Sequence, residues 1–383
     1  MTELNLIFIW LTSISALLWI ILLLQPWQPW RNQECLESDK TIKNNQKLMN
    51  SVTIIIPARN EEDVIEHTLK SLDRKGLPLK VLVVDDQSSD NTAHIIKNVS
   101  VKNIIIELIT GKKLPTGWAG KMWALEQARK KVTSELILLM DADIQLEPYM
   151  LESLLKKRSD SGARLVSVMV ALRMESFWEK LLMPAFVFFF KILYPFKLSN
   201  SRNQLVAAAA GGCILTDSNI LDKIGGFGAI KNALIDDCAL AREIKQSGET
   251  TWVGLTRSAN STRAYKTLNL IWNMIERSAF TQLRSSLSLL LLCTSIMVIT
   301  FWIPVMCIII SPGIIPKLLG VFVISLMFIA YLPTLNYYHR SPIYGFAMPL
   351  IGTLYLLMTW SSAIKFWRGA QSNWKGRIYN RME

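Results

Sequence analysis

The apolar residues of this chain are segregated, and that segregation restricts the folds open to it more than any local motif does. Residues 4–24 are almost continuously apolar, and so is most of the chain after Leu287, whereas the middle has the mixed composition of a soluble domain. Apolar residues total 51% against 19% charged, too oily for an ordinary soluble protein of 383 residues. The expectation is one soluble domain joined to membrane segments. It divides as an N-terminal membrane anchor over 1–30, a soluble domain over 50–285, a C-terminal transmembrane region over 286–365 and a basic tail over 366–383.

Leu4–Leu24 is long enough to cross about 30 Å of hydrocarbon. A cleaved signal peptide needs a basic start and a small-residue cleavage site, but this segment begins Met-Thr-Glu and ends in Gln25-Pro26-Trp27-Gln28-Pro29-Trp30. Trp27 and Trp30 suit a membrane interface. Arg31, Lys40, Lys43 and Lys47 follow the span, which puts its C-terminal side in the cytoplasm. Leu287–Ile310, Ile315–Leu335 and Ile343–Ile364 read as three further spans. Three full crossings would carry the basic tail (Lys365, Arg368, Lys375, Arg377, Arg381) to the far side, against the positive-inside bias. A re-entrant run, or a hairpin within the first, removes the conflict. Phe177–Phe196 carries Glu179, Lys180 and Lys191 among aromatics and fits either an amphipathic interfacial segment or a buried helix of the soluble domain. The spans hold almost no charge, which disfavours a transporter.

The net charge of +12 fits a cytoplasmic flank facing anionic lipid, and no motif points to nucleic acid. Five cysteines show no paired spacing and read as reduced packing residues. Three histidines lie far apart in sequence, so a metal would be held by oxygen rather than as a zinc site.

The middle reads as α/β. Val52–Ile56 is a short β-branched run ended by Pro57, after which Asn60 caps a helix with Glu61, Glu62 and Asp63 in its first turn. Leu79–Val84, Ile104–Ile109 and Glu135–Met140 read as strands, with a helix near Met122–Lys131. This alternation implies a mostly parallel sheet whose ligands sit at the carboxyl ends of the strands. Three polar clusters fall there: Arg59-Asn60-Glu61, Asp85-Asp86 and Asp141-Ala142-Asp143.

Asp141 and Asp143 share one face if the strand continues through them, and a paired carboxylate site favours Mg²⁺ or Mn²⁺ with a diphosphate as further ligand. Asp85 or Asp86 could accept a hydrogen bond from a base imide; helix capping accounts for Asp90 but not for two successive acids. Pro115–Lys121 is a Gly-punctuated loop entering a helix, and it fits either a diphosphate cradle using Lys121 or an ordinary connection. Asp236-Asp237 precedes a helix-like run, where a plain N-terminal helix charge is the simpler reading and an acceptor-activating base the other. Gln282 and Arg284 could meet phosphate or lipid headgroups.

Taken together, Pro57-Ala58-Arg59-Asn60-Glu61, Val84–Asp90, Asp141-Ala142-Asp143 and Asp236-Asp237, in this order over about Val52–Arg284, resemble the family 2 inverting glycosyltransferases of the GT-A fold. The resemblance implies that Asp86 reads the base, Asp141 and Asp143 hold the metal, and Asp237, with Asp236 beside it, is the catalytic base. It puts Pro57, Arg59, Asn60, Glu61, Lys121, Gln282 and Arg284 on the donor side, with a UDP- or GDP-sugar as donor. Two departures stand out: the acidic pair is Asp-Asp where Glu-Asp is usual, and the Gln-x-x-Arg-Trp motif of processive synthases ends in Ser285, which implies non-processive transfer. Gly117–Lys121, Pro184–Phe190 and Ala279–Arg284 further resemble hopene-associated glycosyltransferases, with carotenoid glycosyltransferases next. That implies a multi-pass enzyme of a bacterial cytoplasmic membrane, its catalytic domain cytoplasmic, acting on a lipid acceptor. A polyprenyl-phosphate sugar synthase using Arg202, Arg263 and Arg284, and a non-catalytic nucleotide-sugar-binding scaffold, are the alternative readings.

Overall fold

The computed structural model describes residues 3–42, 51–73, 79–369, 373–374 and 377–378. Lys43, Lys47, Lys375 and Arg381, counted above as flank and tail charges, lie outside these residues. Two compact units are present. One is drawn from Glu34–Arg173, Phe196–Ala264 and Gln371–Glu383, the other from Met1–Gln33, Met174–Pro195 and Tyr265–Ala370. The contiguous 50–285 division read from the sequence therefore differs from the structural one, because two stretches inside it fold with the apolar helices.

The first unit is built on an eight-stranded sheet: β1 (Val52–Ala58), β2 (Leu79–Asp85), β3 (Ile104–Thr110), β4 (Leu136–Met140), β5 (Ile144–Leu146), β6 (Leu165–Ala171), β7 (Cys213–Asp217) and β8 (Thr251–Ser261). Their order is β3-β2-β1-β4-β7-β6-β8-β5. The first four run parallel, while β7 is antiparallel to both β4 and β6. The strands read as unbroken apolar runs because both faces are covered. Alternation sends Ile54, Ile56, Val81, Val83 and Leu138 into one core and Ile55, Leu82, Val84, Ile137 and Leu139 into another. Truncating any of the Ile or Leu residues among these to Ala would cost roughly 2–5 kcal/mol.

Pro57 does not end β1, as the sequence suggested; the strand continues to Ala58. β4 pairs with β1 only at Val52–Ile55, so Pro57 has β2 alone as a ladder partner and its missing N–H breaks no bond on the other side. The helix after β1 begins at Ile65, not at Asn60. Asn60 adopts a left-handed φ of 51° and its side chain is used elsewhere. The Gly120–Arg129 helix starts two residues before the predicted Met122, which brings Lys121 into its first turn.

Among the described residues of the second unit four helices are long and apolar enough to cross a membrane: Asn5–Leu24, Leu287–Ile310, Ile314–Tyr337 and Pro342–Trp367. Leu287–Ile310 contains no hairpin. It runs through a π-helical turn at Val298–Trp302, where Ser15 and Trp19 of the first helix donate to the Thr300 carbonyl. Phe177–Leu193 is a helix of this same unit rather than of the sheet domain. It opens on a Ser176/Glu179 capping box, and its Phe188 meets Tyr331 edge-on at 5.2 Å.

Candidate active site

The carboxyl ends of β1 and β2 are stitched into one corner. Asn60 N–H donates to Ser88 Oγ at 3.0 Å, and Ser89 N–H donates to Asn60 Oδ1 at 2.9 Å. Glu61 N–H reaches Thr92 Oγ1 at 2.8 Å and Glu62 N–H reaches Asp90 Oδ2 at 3.2 Å. Arg59 donates to the carbonyls of Asp86 and Gln87. These bonds hold Asp86, fully buried, at the floor of the corner. Gly111 closes it from β3: its N–H donates to Asp85 O at 2.8 Å, and a Cβ there would lie 2.8 Å from that same oxygen.

A second group of acids gathers beside this corner. A small cleft is lined by Pro57, Lys121, Asp141, Gly211, Asp236 and Asp237 among others. Lys121 Nζ lies 2.9 Å from Asp141 Oδ1 and 3.3 Å from Asp236 Oδ2. The first turn of the Asp236–Gln246 helix supplies both acids of that pair. Asp237 is fixed by two backbone donors, Gly211 N–H to Oδ2 at 2.8 Å and Cys238 N–H to Oδ1 at 2.7 Å. Gly211 follows the buried run Ala207–Ala210, which Ser167 anchors by bonding both the N–H and the carbonyl of Ala210.

Asp141 and Asp143 are not carried on an extended strand as predicted. β4 ends at Met140, and Ile144 N–H returns to Asp141 O at 3.2 Å, so the pair sits on a turn between β4 and β5. The turn is pinned by Thr68 Oγ1, which donates to Ala142 O at 2.7 Å. It is pinned again from the end of β8, where Thr262 N–H donates to Asp143 O at 2.9 Å and Ser261 Oγ to Asp143 Oδ2 at 2.5 Å. Arg263 Nη2 lies between both oxygens of Glu61, at 2.7 and 2.9 Å, and 3.5 Å from Asp143 Oδ1.

The electrostatics follow from crowding. Burial and the neighbouring Asp236 push the Asp237 carboxyl up to about 6, against the opposing pull of Lys121 and the two amides. Burial likewise raises Asp141; Lys121 opposes this, and the Asp143 and Asp236 charges add to it. Lys121 is held charged, because Asp141 and Asp236 outweigh the desolvation that would neutralise it. Three carboxylates, Asp141, Asp236 and Asp237, thus bear on Lys121, while Arg263, beside Asp143, is already committed to Glu61. Such an excess of negative oxygen donors fits a hard divalent cation, and 34% of the Asp141 side chain remains exposed for one to reach. Among the described residues no three His, Cys, Asp or Glu side chains form a metal cage, so further oxygens would have to come from a ligand such as a diphosphate.

Of the residues singled out from the sequence, the structure brings Pro57, Lys121, Asp141, Asp236 and Asp237 to one cleft. Arg59 and Asn60 are spent on the corner, and Glu61 on Arg263. Gln282 and Arg284 belong to the helical unit, where Tyr194 donates to Gln282 Oε1 at 2.6 Å and Arg284 takes a φ of 53°. Sequence reasoning missed Gly211 and Ser261, and gave Arg263 only a lipid-phosphate role. No local signal marks any of them.

A mixed sheet with acidic residues gathered at the carboxyl ends of β1, β2 and β4 is the GT-A type of nucleotide-sugar-binding fold. A mannosyltransferase from Pyrobaculum calidifontis, solved in complex with GDP-Man and Mn²⁺, has the same fold, with a TM-score of 0.53 at 16% identity over 95% of this chain and 99% of that one. Residues 53–225 match the sequence model of "Glycosyl transferase family 2". The family 2 resemblance read from the motifs is thereby borne out. Similar curated proteins include a 4,4'-diaponeurosporenoate glycosyltransferase of Staphylococcus haemolyticus, 33% identical over 104 residues covering 27% of each chain. They also include a probable glycosyltransferase, YdaM, of Bacillus subtilis, 36% identical over 104 residues, 26% of this chain and 24% of that one. The match spans about a quarter of the length of these relatives.

Proposed function

We propose that this protein is a membrane-bound inverting glycosyltransferase that moves a sugar from a UDP- or GDP-sugar to a lipid acceptor, of hopanoid or other polyprenoid class. The observation that carries the reading is the Lys121 bridge. One ammonium joins Asp141 of the D-x-D turn to Asp236, the neighbour of Asp237, so a donor-side group and a candidate base share one cleft. Asp141 and Asp143 would hold Mg²⁺ or Mn²⁺, which when bound neutralises charge on the departing diphosphate. Asp86 and the β1–β2 corner would receive the base and Lys121 the phosphates. Asp237, oriented by Gly211 and Cys238, takes the proton from the acceptor hydroxyl as the sugar transfers with inversion. The carboxyl raised to about 6 is still ionised at neutral pH and yet basic enough to accept it.

Four membrane-length helices and the basic residues after the first support a multi-pass protein of a bacterial cytoplasmic membrane with its catalytic domain cytoplasmic. The name of the staphylococcal relative favours a polyprenoid acceptor of carotenoid type. The test is a panel of UDP- and GDP-sugars given with Mn²⁺ to the purified full chain. Acceptors would be hopanoids, carotenoid acids, neutral polyprenols and polyprenyl phosphates, with mass spectrometry of the extracted lipid. A sugar adduct on a hopanoid or carotenoid supports the proposal. Adducts on polyprenyl phosphate alone would make it a lipid-phosphate sugar synthase, and donor binding without any adduct would make it a non-catalytic binder.

A further inference from the structure

Asp143 is the one acid of the D-x-D turn that does not touch Lys121, and its environment is built by a different set of residues. Its backbone carbonyl is held by Thr262, and its Oδ2 by the Ser261 hydroxyl. Oδ1 faces Arg263 at 3.5 Å, a distance at which the guanidinium attracts it without making a proper hydrogen bond. The same Nη2 lies 2.7 and 2.9 Å from the two oxygens of Glu61, which is itself buried and fixed at its own N–H by Thr92. Glu61 therefore wins the guanidinium, and Asp143 keeps an oxygen that a closer Arg263 would occupy.

We infer that Glu61 is a positioning residue that restrains Arg263 and so keeps Asp143 available to a divalent cation. The inference rests on the metal-assisted reading above, and it gives Glu61 a role distinct from donor contact. Its physical basis is competition between charges. Asp143 is buried and negative, and Arg263, 3.5 Å from its Oδ1, lies closer to both oxygens of the Glu61 carboxylate. With the Glu61 charge removed, Arg263 loses a carboxylate 2.7 Å away and is drawn toward Asp143 Oδ1, where it would compete with a cation for one of the two D-x-D carboxylates. The linkage joins residues 61, 143 and 263, which lie at the ends of β1, β4 and β8 and are brought together only by the sheet.

The test is Mn²⁺ titration, followed by electron paramagnetic resonance, into the purified full chain in detergent with UDP and, in parallel, GDP. Glu61→Gln should weaken Mn²⁺ binding by about ten-fold, the scale on which partners of metal ligands act. The double variant Glu61→Gln/Arg263→Met should restore it, since no cation is left to close on Asp143. Arg263→Met alone should bind Mn²⁺ at least as tightly as the wild type, which keeps the inference testable if Glu61→Gln does not fold. Wild-type affinity in Glu61→Gln would overturn it, as would a double variant that stays weak or an Arg263→Met variant that weakens. Failure of the wild type to bind Mn²⁺ with either nucleotide would instead remove the metal-assisted reading itself, and this inference with it.

Discussion

The helical unit and the cleft of the sheet unit bury charge in different ways. In the helical unit the buried Lys191 and Glu276 are each matched by several hydrogen-bond partners. Lys191 donates to Asn32, Thr334 and the Arg31 carbonyl, and Glu276 accepts from Ser361 and Lys365. In the sheet unit Asp141, Asp236 and Asp237 crowd around Lys121, and Asp143 stands beside an arginine already taken by Glu61. Charge matched by hydrogen bonds serves the architecture, although burying it still costs desolvation. Unmatched charge is held in place only because the surrounding packing forces it, and such sites are where ligands supply what is missing.

The comparison is broken most severely at Asp237. Asp237→Asn keeps the shape and an acceptor for Gly211, but removes the base. Turnover should fall by about 10²–10⁴-fold, with an unchanged elution profile in detergent; a rate near wild type would show that the proton leaves by another route.

The pH dependence should carry the same signature at lower amplitude. Asp237 is raised to about 6, so lowering the pH through that value protonates it and removes its basicity. Asp236 and Lys121 are the charged groups that bear on it across the cleft. kcat/KM should fall on the acid side with a midpoint near 6, by about ten-fold per pH unit well below it. Asp237→Asn should lack this limb.

Gly211→Ala probes the crowding itself. Its Cβ would lie 3.3 Å from Lys121 Nζ and 3.4 Å from Asp237 Oδ2, tight enough to push the ammonium and the carboxylate apart. We expect kcat to fall by about ten-fold, as for a small displacement of a catalytic group, with donor KM little changed. A steady-state comparison at saturating donor separates the two.

The smallest effect on chemistry belongs to the matched region. Lys191→Met removes the ammonium that donates to Asn32, Thr334 and the Arg31 carbonyl, which should cost about 1–3 kcal/mol of stability. Thermal unfolding in detergent would register the loss, while turnover per folded molecule should hold. A large drop in turnover would mean that the helical unit's buried charges also take part in the reaction.

How legible all this was depends on the range of the interactions involved. β1, β2 and β4 were visible because strands covered on both faces become unbroken apolar runs, and the membrane-length helices were visible for the same reason at greater length. The Asn60 cap was misread because the rule is local. Capping propensity favours Asn at that position, but Ser88 and Ser89 on the neighbouring loop offer its N–H and side chain better bonds in a left-handed conformation. The D-x-D pair was found by composition and given the wrong backbone, since nothing in Asp-Ala-Asp distinguishes a strand end from a turn.

What the sequence determined by itself was the inventory: apolar runs of two lengths, acids at strand ends, and a Gly-punctuated loop ending in Lys121. Each of these depends on composition and on spacing within about a dozen residues, which the chain states directly. What only the tertiary structure decided was which charges meet. Lys121 finds Asp141 and Asp236, Gly211 finds Asp237, and Glu61 draws Arg263 from Asp143 across 202 residues. Those pairings are set by strand order and register, and their energies depend on burial, neither of which exists until the sheet has closed over its two cores.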